Sequence, residues 1–186
     1  MSSDTTPANG LMQIRISGAG GQGIVLAGML LGKAASLYDQ KEAVFTQSYG
    51  PEARGGASCA DIVVSSGTID YPLVEAPDVL VVLFQEAYLK YRPTLTPGGI
   101  LIIESDLVKP PDTETDHLAL PATALADELG RRIVTNVIVL GYLIGKTDVV
   151  SMDAAKQAIE TTVKPRTLDL NLRALDAGYD RAKSGA

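Results

Sequence analysis

Residues 11–38 read LMQIRISGAGGQGIVLAGMLLGKAASLY, and the fold class follows from how this stretch divides. Leu11–Ser17 suits a β-strand. Ile24–Tyr38 suits a mostly buried helix with small-residue gaps at Gly28 and Gly32. Between them, Gly18-Ala19-Gly20-Gly21-Gln22-Gly23 matches G-x-G-x-x-G, directly after a strand and opening a helix. Glycines there permit a tight turn and bring backbone N–H groups close to a diphosphate, whose charge the helix N-terminus favours. The same residues also serve as a purely structural strand-to-helix turn, so the pattern alone leaves both readings standing.

Outward from this unit the rhythm continues. Glu42–Ser48, Ser58–Ser65, Val79–Phe84 and Ile100–Glu104 read as strands, the last two as continuous apolar runs of the kind buried on both faces. Gln85–Tyr91 reads as a helix stopped near Pro93, before the Pro97-Gly98-Gly99 turn. The spacing predicts a βαβα parallel sheet with crossover helices. The last third is helical. Thr123 caps a short helix ending at Gly130, Thr135 caps one running to about Gly145, and Ser151 caps a third. Leu168, Leu172, Leu175 and Tyr179 mark one face of a final helix. Gly28, Gly32, Gly141 and Gly145 are read as sites of close helix packing. Residues 1–10 read as a short leader and residues 11–186 as one domain.

The 186 residues carry one cysteine, one histidine and a net charge of −6. Those counts exclude a disulfide framework, and an iron–sulfur cluster or multi-histidine zinc site supplied by this chain alone. They disfavour a general attraction to nucleic acid or anionic lipid. No export signal precedes the fold, and Val137–Gly145 is too short to span a bilayer, so no membrane partner is expected and the cytoplasm is the expected compartment.

A second unusual segment follows the second strand: Ser48, Tyr49, Gly50, Pro51, Glu52, Ala53, Arg54, Gly55 and Gly56. In a parallel sheet the C-terminal strand ends share one edge, so this loop should neighbour the glycine turn, and Arg54 offers a planar fork for phosphate or carboxylate. A solvated Arg–Glu turn is the plainer alternative; two glycine-rich loops at one edge favour a joint ligand or interface site. A dinucleotide-binding Rossmann unit should end its second strand with Asp or Glu. Here that strand ends Thr46-Gln47-Ser48 and Glu42 stands at its start, so NAD is disfavoured. His117 lies in an acidic, proline-rich loop, Cys59 reads as a small buried hydrophobe, and Asn136 as a structural cap or a bond to a neighbouring loop. No catalytic or metal-ligating residue is assigned.

Taken together, ISGAGGQGIVLAGMLLGKAA and SYGPEARGGASCADIVVS resemble the gamma subunit of 2-oxoacid:ferredoxin oxidoreductases, particularly the 2-oxoglutarate type. The likeness continues through Pro97-Gly98-Gly99-Ile100 and Thr135-Asn136-Val137 to Asn171, Ala174 and Gly178, nearly the whole chain. It implies an α/β, Rossmann-like fold with a mainly parallel sheet, flanking helices and a helical C-terminal portion. It also implies one subunit of a larger enzyme that joins a 2-oxoacid to coenzyme A, releases CO2 and reduces ferredoxin. Thiamine diphosphate with magnesium, and the iron–sulfur clusters, would reside on companion alpha, beta or delta subunits. Carried over by position, Gly18, Gly20, Gly21, Gln22 and Gly23 would form a turn facing the diphosphate of coenzyme A. Ser48, Tyr49, Gly50, Pro51, Glu52, Arg54, Gly55 and Gly56 would face the coenzyme or the companions. Indolepyruvate, pyruvate and branched-chain oxoacid enzymes are the alternatives within the family, and a stand-alone nucleotide-binding protein is the alternative outside it.

Overall fold

A computed structural model of the chain describes residues 10–48 and 57–184. Six strands form one mixed sheet: β1 (Leu11–Ala19), β2 (Glu42–Ser48), β3 (Ala57–Ser65), β4 (Val79–Val82), β5 (Ile100–Glu104) and β6 (Leu118–Leu120), in the order β2-β3-β1-β4-β5-β6. β4 and β5 follow β1 in parallel, and β6 follows β5 likewise. β3 runs against both β1 and β2. The rhythm of parallel crossovers therefore breaks around β3, which forms a hairpin with β2 and also runs against β4, with no helix between β3 and β4. Eight residues separate Ser48 from Ala57, too few for the dozen or more that a parallel crossover needs.

The helices are α1 (Ile24–Lys33), α2 (Gln85–Tyr91), α3 (Ala122–Glu128), α4 (Thr135–Thr147), α5 (Met152–Glu160) and α6 (Pro165–Lys183). Among the described helices, α2 is the one that packs on the face formed by Cys59, Leu80, Val82, Leu101 and Ile103, with Leu95 and Val108 beside it. The other helices build the main core on Ile14, Ile16, Ile62, Val81 and Ile102. Burial on both sides explains why β4 and β5 lack apolar–polar alternation. The same logic explains the apolar run at 137–145: it belongs to α4, buried from Asn136 to Gly145 between the sheet-side layer and α6. Backbones touch there. A Cβ on Gly178 would stand 1.9 Å from the Ile138 carbonyl oxygen, and one on Gly141 2.1 Å from that of Leu175. Among the described residues, no helix is long and apolar enough to cross a membrane.

Several boundaries differ from expectation for physical reasons. The helix from Ile24 stays α-helical only to Lys33 and then widens into a π-helical turn over Ala34–Tyr38. Thr123 lies inside α3, whose cap position is Pro121; the Thr123 N–H is taken by the Glu104 carboxylate at 2.9 Å. Thr135 likewise begins α4, and its hydroxyl turns back to the Arg132 carbonyl. Ser151 does cap α5, accepting from the Ala154 N–H at 3.1 Å. Strand β6 had no sequence signal because it has only three residues and follows a polar loop. The buried face of α6 centres on Ala174, Gly178 and Ala182, beside Leu175, while Leu168, Leu172 and Tyr179 are only half-buried at its margins. Gly32 is not crowded: its Cβ would meet Phe45 at an ordinary 3.7 Å. Of the leader at residues 1–10, only Gly10 is described, and its carbonyl accepts from the Ser66 N–H.

Candidate functional site

The glycine-rich turn lies where β1 ends and α1 begins, at the C-terminal edge shared by β1, β2, β4, β5 and β6. The crevice beside it is the point from which the parallel strands proceed in both directions, the usual ligand position in open α/β sheets. Its glycines divide by role. A Cβ on Gly18 would meet the Gln22 Oε1 at 2.5 Å and the Ile24 Cδ1 at 2.8 Å. Gly23 has φ +75°, and a Cβ there would lie 2.6 Å from the Asn136 Nδ2. Gly21 has φ +89° but open space beside it, so its backbone geometry is what asks for glycine. Gly20 has no left-handed φ, and among the described residues a built Cβ there has no neighbour within 4 Å. Packing among the described residues does not require glycine at Gly20.

The turn is held rigidly. The Gln22 side-chain oxygen accepts from the Ala19 N–H at 2.7 Å, and its amide donates to the Leu83 carbonyl at 2.9 Å. Gln22 thus ties the turn to the end of β4, and its side chain is spent on that clasp. Asn136, at the start of α4, donates to the Gly23 carbonyl at 3.1 Å, so the expected bond to a neighbouring loop is made to the glycine turn itself. The first bond of α1 runs from Ala27 N–H to Gly23 C=O. The N–H groups of Ile24, Val25 and Leu26 therefore have no acceptor within the helix, and its first turn holds no acidic residue. An anion beside Gly20 would meet these donors and the positive end of the helix.

Two clefts flank the turn and share Gly21, Gly23 and Leu26. The smaller, about 430 Å³, adds Val25, Met29 and Ser58. The larger, about 590 Å³, extends across Leu83, Glu104, Leu107, Thr123 and Asn136 to Arg132 and Ile133. Glu104 ends β5 and is buried. Its carboxylate accepts from the N–H groups of Asp106, Leu107 and Thr123 at 2.8–2.9 Å, fixing the far rim of the cleft. Neither Glu104 nor Arg132 stands out in the sequence; the one available signal for Glu104 is a carboxylate closing the apolar run Ile100–Ile103.

The hairpin brings Ser48 to the same edge. Ser48 pairs with Cys59, and Gly18 and Ala19 pair with Ser58 and Ala57, while the Ser58 hydroxyl reaches the Gly18 carbonyl at 3.3 Å. The two ends of the second loop thus stand beside the glycine turn, through an antiparallel hairpin and not through adjacent parallel strands. Tyr49, Gly50, Pro51, Glu52, Arg54, Gly55 and Gly56 lie outside the described residues.

Other reactive groups are placed away from the clefts. Cys59 is buried beneath α2, and burial pushes its thiol above the ordinary range. The His117 ring contacts the Glu114 carbonyl within its own loop. A pair absent from the sequence reading, buried Arg15 and half-buried Asp61, is joined at 2.7 and 2.8 Å, and Arg15 also donates to the Val74 carbonyl. It fastens the loop before β4 to the sheet. Among the described residues, no three His, Cys, Asp or Glu side chains cluster to hold a metal.

A family model described as pyruvate ferredoxin/flavodoxin oxidoreductase matches residues 13–181. The chain is 47% identical over 175 residues to the 2-oxoglutarate synthase subunit KorC of Methanocaldococcus jannaschii, covering 92% of this chain and 94% of that protein. The gamma subunit of a keto/oxoacid ferredoxin oxidoreductase from Geobacter sulfurreducens superposes with a TM-score of 0.85 at 41% identity, covering 94% of this chain and 98% of that one. The 2-oxoglutarate:ferredoxin oxidoreductase from Magnetococcus marinus, solved with 2-oxoglutarate, coenzyme A and succinyl-CoA bound, matches with a TM-score of 0.84 at 23% identity. That likeness covers 94% of this chain but 31% of the larger one, and it is a likeness of fold.

Proposed function

This chain belongs to the pyruvate ferredoxin/flavodoxin oxidoreductase family, and on that premise we propose that it serves a 2-oxoglutarate:ferredoxin oxidoreductase as its gamma subunit, holding coenzyme A and joining the complex. The reaction converts 2-oxoglutarate and coenzyme A to succinyl-CoA and CO2 while ferredoxin is reduced. Thiamine diphosphate, magnesium and the iron–sulfur clusters belong to alpha, beta and delta companions, in keeping with the single cysteine of this chain. The glycine turn receives the coenzyme's diphosphate on the N–H groups opening α1. The 49–56 loop, with Arg54, faces the coenzyme or a companion subunit. The observation that carries the coenzyme role is Gly20, a glycine with no described residue within 4 Å of a built Cβ, just before a helix free of acidic residues in its first turn.

The test is the complex purified through an affinity tag on this chain and assayed for oxoacid-dependent viologen reduction. Companion thiamine-binding subunits should copurify, and 2-oxoglutarate should be preferred over pyruvate, 2-oxoisovalerate and indolepyruvate. Gly20→Val should raise the KM for coenzyme A about tenfold, the order of losing charge-assisted bonds. Arg54→Ala should raise the same KM or loosen assembly. A chain that purifies alone, or a complex preferring another oxoacid, overturns the corresponding part of the proposal.

A further inference from the structure

The two edges of the sheet are built differently. At one end β6 is three residues long, too short to template another strand. At the other, β2 runs seven residues, Glu42–Ser48, with β3 as its neighbour in the sheet among the described residues. None of the devices within a strand that blunt an edge is present in β2. Its pairing with β3 runs residue by residue, from Glu42 opposite Ser65 to Ser48 opposite Cys59, without a bulge, and it holds no proline or lysine. Its one charge, Glu42, accepts from the Ile69 N–H at 2.8 Å. Behind it lie Ala43, Val44, Phe45 and Thr46, half-buried on both faces of the strand. We propose that β2 pairs antiparallel with β2 of a second copy of this chain, about a two-fold axis through Phe45, so that the two sheets become continuous.

Three observations favour a second copy as the occupant. The first is self-complementarity. A two-fold axis normal to the sheet keeps every side chain on its own face. Centred on Phe45, it sets Phe45 against Phe45, Val44 against Thr46 and Glu42 against Ser48, so aromatic and β-branched residues meet in the pairs that stabilise antiparallel ladders. The second is charge. The two Glu42 carboxylates are offset along the ladder by roughly 20 Å, beyond the screening length of about 8 Å at physiological salt. The third is apolar surface on both sides of the edge. On one face, α1 lies so close over β2 that a Cβ on Gly28 would meet the Phe45 ring at 2.9 Å; α1 and the π-helical turn after it expose Met29 and Leu37. On the face that α2 covers, the 66–78 loop is tied to Glu42 through Ile69 and to Arg15 through Val74, and the segment between these anchors exposes Tyr71 and Leu73. Four of the seven large apolar side chains exposed among the described residues thus flank this end of the sheet, where a copy would cover them. The pairing does not depend on what the glycine turn binds.

The test is register-specific cross-linking under mild oxidation, in a Cys59→Ala background, with the complex purified through its tag and with the full chain expressed alone. In the paired ladder, Val44 of one copy and Thr46 of the other have Cα atoms about 4.5–5.5 Å apart, within the span of a disulfide. Val44 to Val44 and Thr46 to Thr46 are diagonal neighbours about 7–8 Å apart, outside it. The double variant Val44→Cys/Thr46→Cys should therefore run as a covalent dimer in non-reducing electrophoresis, while each single variant links only when the two are coexpressed. Thr46→Lys, which places a lysine beside the axis, should weaken self-association of the full chain at least tenfold in sedimentation, with its circular dichroism unchanged. Equal cross-linking by single and double variants overturns the register, and no cross-link in the complex overturns the pairing whatever the chain does alone. Thr46→Lys that leaves self-association unchanged does the same. Slow hydrogen exchange at residues 43–46 that appears only on adding companion subunits gives the edge to a companion's strand and also overturns it. If no companions copurify, the oxidoreductase proposal fails, and the cross-link in the chain alone still decides this one.

Discussion

Gly20 and Gly23 sit three residues apart in one turn, yet the structure asks opposite things of them. Gly23→Ala forces a side chain into a left-handed conformation at φ +75°, which costs about 1–2 kcal/mol. The new Cβ would stand 2.6 Å from the Asn136 Nδ2 and 2.8 Å from its Cγ, so Asn136 must swing away. Its bond to the Gly23 carbonyl is then lost, worth about 1 kcal/mol. That carbonyl keeps the Ala27 N–H at 3.0 Å, so no buried acceptor is orphaned. The total is about 2–3 kcal/mol, or roughly 4–12 °C in the unfolding midpoint for a chain of this size. Gly20→Ala meets no described residue within 4 Å and should move stability by less than about 0.5 kcal/mol. Thermal and urea unfolding of both variants, with Asn136→Ala alone and combined with Gly23→Ala, provides the assay. The double variant should be about 1 kcal/mol more stable than the sum of its parts, because the clash has already been removed. Equal losses at the two glycines, or strict additivity of Gly23→Ala with Asn136→Ala, would refute this division of roles.

Gly178→Ala should be among the most damaging single-methyl changes, since its Cβ would stand 1.9 Å from a carbonyl oxygen of α4. A loss on the order of 3 kcal/mol is expected, checked by urea unfolding and by faster proteolysis within α6. Asp61→Ala leaves the buried Arg15 guanidinium without its carboxylate and should cost about 3–5 kcal/mol; a variant as stable as wild type removes the fastening role of the pair. Cys59, buried and with its thiol pushed above the ordinary range, should react slowly with iodoacetamide at pH 8 in the folded chain. It should react readily in urea, as mass spectrometry of the alkylated protein would record. Glu104→Ala removes the acceptor of three main-chain N–H groups. Hydrogen exchange should rise at Asp106, Leu107 and Thr123 while β1 stays protected.

The strand, glycine turn and first helix were legible because local chemistry decides them: alternation in Leu11–Ser17, glycines at the turn, and a buried helix after it. The hairpin between β2 and β3 was not, because strand direction depends on the length of a connection and on which neighbour is already paired. Gln22 shows a similar limit at the site. Its place in the motif groups it with ligand-facing residues, but its amide is occupied by Ala19 and Leu83, and Leu83 reaches it only once β4 lies beside β1. Arg132 and Glu104 come from segments far from the motif and meet only across the folded edge. In α6 the leucine stripe indicated a helix and nearly the correct face, but the closest contact is made by Gly178, a residue whose packing role has no hydrophobicity to announce it.

Asn136 gives α4 a second significance. A helix enclosed on all sides exchanges its amide protons only when the whole domain opens, so it belongs to the last part of the molecule to loosen. By grasping the Gly23 carbonyl, that helix lends its rigidity to the glycine turn. In the proposed role, the turn reaches its binding shape during folding, and ligand capture need not repeat that loss of conformational freedom. The expected signature is a ligand-free turn that superposes on its occupied form, with association enthalpy and heat capacity arising from ligand contacts rather than from ordering of the chain.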